Sequence, residues 1–219
     1  MSLVSRARRA GLLAGLIACI GADCSAATAA PTAAPVLLVV GDSLSAEYGI
    51  ARGSGWVALL AERLAANKPP LQVVNASISG DTTAGGRSRL PALLTRHKPA
   101  LVVIELGGND ALRGLPIATT RDNLMAMAGA AQQAGAKVLL VGMQVPPNYG
   151  RAYTEDFARA FQEVARERRA ALVPFLLAGV ADRADAEAWF QTDRIHPLAK
   201  AHPRMLDNVW PVLKPLLPR

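Results

Sequence analysis

Val36-Leu37-Leu38-Val39-Val40 runs directly into Gly41-Asp42-Ser43-Leu44-Ser45. An unbroken apolar run, with no polar residue alternating, suits a strand covered on both faces, as in a parallel sheet. Glycine and small polar residues at its carboxyl end suit a loop whose backbone approaches a ligand closely. Four more runs of strand length follow at Leu71–Val74, Leu101–Leu106, Lys137–Met143 and Ala171–Phe175. Helices are expected between them at residues 55–66, 84–97, 119–134 and 153–169, with a last one in the stretch after Pro197. In the fourth, Phe157, Phe161, Val164 and Arg168 recur at helical spacing and turn one face to the sheet.

This β-α-β-α alternation predicts an α/β fold, a three-layer α/β/α sandwich with right-handed crossovers. The expected sheet is flavodoxin-like, five parallel strands in the order 2-1-3-4-5. Its ligand crevice then lies at the carboxyl ends of strands one and three, where the strand order reverses.

Composition narrows the function. Of the 219 residues, 51% are hydrophobic and 19% charged, too apolar for a disordered chain. The two cysteines, Cys19 and Cys24, supply neither a disulfide framework nor a zinc site, and three histidines leave little for a metal centre. The basic residues form small clusters such as Arg166, Arg168 and Arg169, and aromatics are few, so a nucleic-acid partner is not expected.

The amino terminus has the form of an export leader. Arg6, Arg8 and Arg9 precede an apolar run from Ala10 to Ala22, and Ala27-Thr28-Ala29 offers a small-residue cleavage site. The apolar run is shorter than the roughly 20 residues that span a bilayer. The expected organisation is a signal peptide at 1–29, a linker at 30–35 and one domain at 36–219, periplasmic or secreted and monomeric. A second reading takes Leu16-Ile17-Ala18-Cys19 as a lipobox with a lipid anchor on Cys19. The short apolar run before Cys19 ranks it lower. Removal of residues 1–29 takes away both cysteines and leaves 21 Lys+Arg against 16 Asp+Glu, a net charge of +5.

Each of the first three strands runs into glycine and small polar residues. These are Gly41-Asp42-Ser43, Asn75-Ala76-Ser77-Ile78-Ser79-Gly80-Asp81-Thr82 and Gly107-Gly108-Asn109-Asp110. A fourth block, Asp193-Arg194-Ile195-His196-Pro197, lies far along the chain. Asp and His three apart can face each other across a tight turn, and Pro197 biases His196 toward extended backbone. A serine hydroxyl needs a neighbouring base, and that base needs a third group to orient it. Ser43, His196 and Asp193 fit these roles. The backbone N–H groups of Ser43 and Gly80 and the side-chain amide of Asn109 fit an oxyanion hole.

Other chemistries fit worse. Ser45 stands where a G-x-S-x-G elbow needs its second glycine. Gly80–Gly86 is followed by Arg87-Ser88 where a phosphate loop needs Lys-Ser/Thr, and no G-x-G-x-x-G follows the first strand. A two-metal phosphoesterase could draw on Asp42, Asp110, Asp193 and His196, a set short of histidines.

The four ordered blocks resemble the SGNH (GDSL) hydrolase superfamily. Val73–Thr82, Arg89–Leu94, Glu105–Asp110 and Pro146–Gly150 are similar to its bacterial thioesterase I/arylesterase/lysophospholipase branch. The resemblance implies a periplasmic esterase, without metal or cofactor, acting on acyl-thioesters, aryl esters and lysophospholipids. It assigns Ser43, Gly80, Asn109, Asp193 and His196 to the family's working positions. Relatives usually carry glycine where this chain has Arg194, and often where it has Ala111. A positive φ at the first would strain an arginine.

Acyl-pocket walls are expected from Leu112, Leu115 and Ile117 and from Pro146 and Tyr149, on topology alone. Two further readings stay open: a carbohydrate O-deacetylase on the same fold, and a catalytically silent lipid- or glycan-binding module.

Overall fold

The computed structural model describes residues 34–66 and 70–218. The expected leader, its cleavage site, Cys19 and residues 30–33 of the linker lie outside the described residues. Among the described residues no helix is long and apolar enough to cross a membrane.

Among the described residues five parallel strands form one sheet: β1 (Val36–Gly41), β2 (Gln72–Asn75), β3 (Leu101–Glu105), β4 (Lys137–Val141) and β5 (Ala171–Val173). Their order is β2-β1-β3-β4-β5, as expected. Val39 pairs with Asn75 on one side and with Val103 on the other, and Gly41 pairs with Glu105. The carboxyl ends of the three strands that carry the polar blocks therefore lie side by side.

Among the described residues six helices flank the sheet: α1 (Trp56–Ala65), α2 (Thr83–His97), α3 (Gly108–Leu112), α4 (Ile117–Gln133), α5 (Arg151–Arg168) and α6 (His202–Leu213). Helices α1 and α6 pack together, while α2, α4 and α5 form a second group. Each buries an apolar stripe, such as Leu60 and Leu64 on α1 and Phe157, Phe161 and Val164 on α5. Full burial of one such side chain contributes about 1.5–3 kcal/mol. Strands β1 and β3 are apolar throughout their middle because both faces are covered.

The differences from the sequence reading have local causes. Strand β3 stops at Glu105, and Gly107 at φ +126° breaks the extended run. Strand β5 ends before Pro174, whose nitrogen has no hydrogen to donate to a ladder. Helix α4 starts at Ile117, behind Pro116, and α5 at Arg151, behind Gly150 at φ +90°. The stripe on α5 ends in Val164 and Ala165, and Arg168 instead reaches Met125 of α4 through its guanidinium. The chain after Pro197 makes a short 3-10 turn at Ala199–Ala201 before α6 begins at His202.

Candidate active site

Ser43 follows β1 in a turn pinned by Asp42. The Asp42 carbonyl accepts from the Ala46 amide at 2.9 Å, and its Oδ1 accepts from the Leu44 amide at 3.0 Å. Gly41 is obligatory here. A Cβ at that position would lie 2.8 Å from Glu105 Oε2 and from Ser45. The close approach brings Glu105 under the turn, where Ser45 Oγ donates to its Oε2 at 2.7 Å.

The second half of the site arrives on a hairpin-like excursion between β5 and α6. Phe190 and Pro197 form an antiparallel bridge, and the Gln191 amide donates to the His196 carbonyl at 2.7 Å. Asp193 Oδ1 accepts from the amides of Ile195 and His196 at 2.9 and 3.0 Å, so its other oxygen faces the imidazole. Asp193 Oδ2 lies 2.6 Å from His196 Nδ1, and His196 Nε2 lies 2.9 Å from Ser43 Oγ. Partial burial works against the Asp193 charge, but the bonds from the His196 amide, the ring and the Ile195 amide outweigh it. They hold the carboxyl down to about 2.

Gly80 and Asn109 approach from β2 and β3. Gly80 sits at φ +78°, and its carbonyl accepts from Arg113 Nη2 at 2.8 Å. Asn109, on α3, donates from Nδ2 to Asp42 Oδ2 at 3.1 Å and to the Asp81 carbonyl at 2.9 Å. One amide thus ties the serine turn to the Gly80 loop. Among the described residues the backbone amides of Ser43 and Gly80 donate to no protein acceptor. The two hydrogens of Asn109 Nδ2 are both engaged, so donation to an oxyanion must share or replace the bond to Asp81.

The carboxylates of the phosphoesterase reading do not gather. Asp110 is fully buried and accepts from the amide and hydroxyl of Thr83, while Asp42 serves Leu44 and Asn109. Among the described residues no three His, Cys, Asp or Glu side chains form a metal-binding group. What converges is a hydroxyl, an imidazole, a carboxylate and open amide donors, the parts of an acyl-transfer site.

The residues expected to line an acyl pocket are scattered. Leu112 is exposed at the end of α3, the helix that carries Asn109. Leu115 is half-buried, and Ile117 packs against the core at the start of α4. Pro146 and Tyr149 are exposed, with Tyr149 stacked on Tyr153 at a centroid distance of 6.0 Å. An open groove of about 430 Å³ is lined instead by Ala46, Glu47, Ile50, Arg52, Asn75 and Ser77. It includes none of the five.

The sequence pattern of the GDSL-like Lipase/Acylhydrolase family matches residues 39–204. The chain belongs to this family. Membership makes it a carboxylic ester hydrolase. It is similar to Esterase TesA of Pseudomonas aeruginosa, 58% identical over 181 residues that cover 83% of this chain and 89% of the relative. Thioesterase 1/protease 1/lysophospholipase L1 of Escherichia coli is 41% identical over 181 residues, covering 83% and 84%. A crystal structure of TesA superposes with a TM-score of 0.79, at 58% identity over 83% of this chain and 99% of that one.

Around the GDSL-family blocks, the structure adds residues that sequence reasoning missed. Tyr48 lies against the His196 ring, with centroids 4.2 Å apart. Gln191 Nε2 donates to the Tyr48 carbonyl at 2.9 Å and joins the serine and histidine loops. Arg89 pairs with Asp81 at 2.8 Å and also donates to the Ala76 carbonyl. Of these, Arg89 alone carried a signal, as the first residue of the Arg89–Leu94 stretch. Arg194 has φ +57° with its side chain exposed and 3.4 Å from Glu187, so the arginine does occupy the left-handed position.

Proposed function

We propose that this ester and thioester hydrolase works through an acyl-serine intermediate on Ser43, with His196 as base and Asp193 as its orienting partner. The observation that carries the reading is the continuous pair of contacts from Ser43 Oγ to His196 Nε2 and from His196 Nδ1 to Asp193 Oδ2, at 2.9 and 2.6 Å. As Ser43 Oγ attacks the acyl carbon, its proton passes to His196 Nε2. Ionised Asp193 stabilises the imidazolium and holds the ring in place, without taking the proton itself. The carbonyl oxygen becomes an oxyanion that accepts from the Ser43 and Gly80 amides and from Asn109. The Asn109 hydrogen now given to Asp81 is the one to be shared.

Collapse of the tetrahedral species breaks the bond to the leaving oxygen or sulfur, and the proton on His196 passes to that atom. Water then adds to the acyl-serine with His196 again taking a proton, and the acid leaves as the proton returns to Ser43 Oγ. The acyl chain lies along exposed Leu112, at the end of the helix that carries Asn109. The relatives' names, esterase and thioesterase/lysophospholipase, support oxygen and sulfur esters as the substrate class.

The test is Ser43→Ala together with labelling by a serine-directed fluorophosphonate. The variant stays folded but loses p-nitrophenyl ester and acyl-CoA hydrolysis, and the wild type carries one adduct, on Ser43. Retained turnover, or an adduct elsewhere, rejects the assignment. The same proposal places the working enzyme in the periplasm after removal of residues 1–29. Amino-terminal sequencing of the exported protein then starts at Ala30, and retention of a lipidated Cys19 overturns it.

A further inference from the structure

Two carboxyl groups lie under the serine turn, and the mechanism above uses neither. Asp42 and Glu105 are each 2% exposed, and the Asp42 amide donates to Glu105 Oε2 at 3.4 Å. Two carboxyls buried this close together cannot both ionise at modest cost, and such a pair tends to hold one proton. The Arg89 guanidinium does not neutralise them, being committed to Asp81 and to the Ala76 and Gly41 carbonyls.

The hydrogen-bond pattern decides which member keeps the proton. Asp42 accepts on both oxygens, from the Leu44 amide on Oδ1 and from Asn109 Nδ2 on Oδ2, as an ionised carboxylate does. Glu105 Oε2 accepts from Ser45 Oγ at 2.7 Å and weakly from the Asp42 amide at 3.4 Å. The Ser45 hydroxyl has its own donor, Trp56 Nε1 at 3.2 Å, so its single proton is directed to Glu105. Donors thus fill Oε2, and a proton held by Glu105 would sit on its other oxygen.

We propose that Glu105 is a positioning residue, held protonated, that donates to Asp42 and so fixes the carboxylate on which the Asn109 amide hangs. Trp56, Ser45, Glu105, Asp42 and Asn109 then form one chain of hydrogen bonds that ends at the oxyanion hole. Burial, then the Asp42 charge, raises the Glu105 carboxyl well above the ordinary carboxylate range, and burial raises Asp42 to about 6. Both directions agree with the geometry. The role rests on the reading of Asn109 as an oxyanion donor.

Three variants test it. Glu105→Gln supplies an N–H toward Asp42 and an oxygen toward Ser45, and keeps kcat within about threefold of wild type. Glu105→Leu removes the donor at similar volume and lowers kcat about 10- to 100-fold with KM unchanged, since the loss falls on the transition state. Ser43→Ala is inactive whatever Glu105 does, so failure here leaves the nucleophile assignment standing. Infrared difference spectra of the wild type against Glu105→Gln at neutral pH give a measurement independent of whether Glu105→Leu folds. They show the C=O stretch of a protonated carboxylic acid in the wild type alone. Absence of that band, or a Gln variant as impaired as the Leu variant, overturns the proposal. So does wild-type kcat in Glu105→Leu.

Discussion

The ring of Tyr48 lies against the imidazole of His196, with centroids 4.2 Å apart and planes inclined by 37°. Tyr48 is five residues beyond Ser43, so the loop that carries the proposed nucleophile also braces the proposed base. Its phenol ring is half exposed, and the contact is made with the ring rather than the hydroxyl. In the proposed mechanism His196 takes the serine proton and becomes a cation beside an aromatic face, a contact worth about 0.5–1 kcal/mol at an exposed site.

Tyr48→Ala is therefore expected to lower kcat/KM for p-nitrophenyl esters by about two- to tenfold, the range set by such ring contacts. Tyr48→Phe keeps wild-type kinetics. Equal losses in both variants would place the effect on the hydroxyl and reject the stacking account.

Asn109→Ala removes the one side-chain donor of the proposed oxyanion hole and the bridge between Asp42 and Asp81. We expect kcat to fall by on the order of 10²-fold with little change in KM, because the amide acts on charge that exists only in the transition state. Steady-state kinetics decide it. A proportionate rise in KM would recast Asn109 as a ground-state substrate contact.

Two residues share a left-handed backbone and should respond oppositely to glycine. Arg194, at φ +57°, makes only an exposed contact with Glu187, which contributes little. Arg194→Gly is expected to raise stability by about 0.5–1 kcal/mol by relieving the backbone, with kcat unchanged. Glu47, at φ +60°, accepts from the Gly53 and Gly55 amides at 2.9 Å each. Glu47→Gly therefore costs about 1–2 kcal/mol, the loss of those bonds exceeding the relief. Denaturant melts of the two variants test the pair, and a shared sign would refute it.

The Asp193 carboxyl, held down to about 2 from its ordinary 3.8, has a lowered folded-state value. Its contribution to stability is therefore complete above about pH 4 and is lost as pH falls through about 2. Asp193→Asn should melt below the wild type at pH 7, and the gap should close on acidification below pH 4. The gap is small, since the Asp193 side chain is 36% exposed. Activity is the larger effect, a fall in kcat of about 10²–10⁴-fold as the ring loses its orienting charge. A melting gap that widens toward pH 3 would contradict the assignment.

The fold was legible because its strands are nearly pure apolar runs with glycine-rich ends, a pattern imposed by burial on both faces. Helix α3 was not. Its five residues, Gly108–Leu112, are too few to show a helical period, and they are the same residues read as a loop block. The pocket walls were harder still. Leu112 and Ile117 look alike in sequence, yet one is exposed beside Asn109 and the other packs on the core. The side to which a residue turns depends on where its helix begins, and Pro116 sets that only in three dimensions.

By itself the sequence determined the strand order and the four polar blocks, because hydrophobic burial and backbone conformation leave local marks along a chain. Tertiary structure decided the rest: that Tyr48 braces His196, that Asn109 hangs between Asp42 and Asp81, and that Glu105 meets Asp42 beneath the serine. These are properties of distance and desolvation between residues far apart in the chain. Protonation and orientation follow from what surrounds a group in space, which no spacing in sequence encodes.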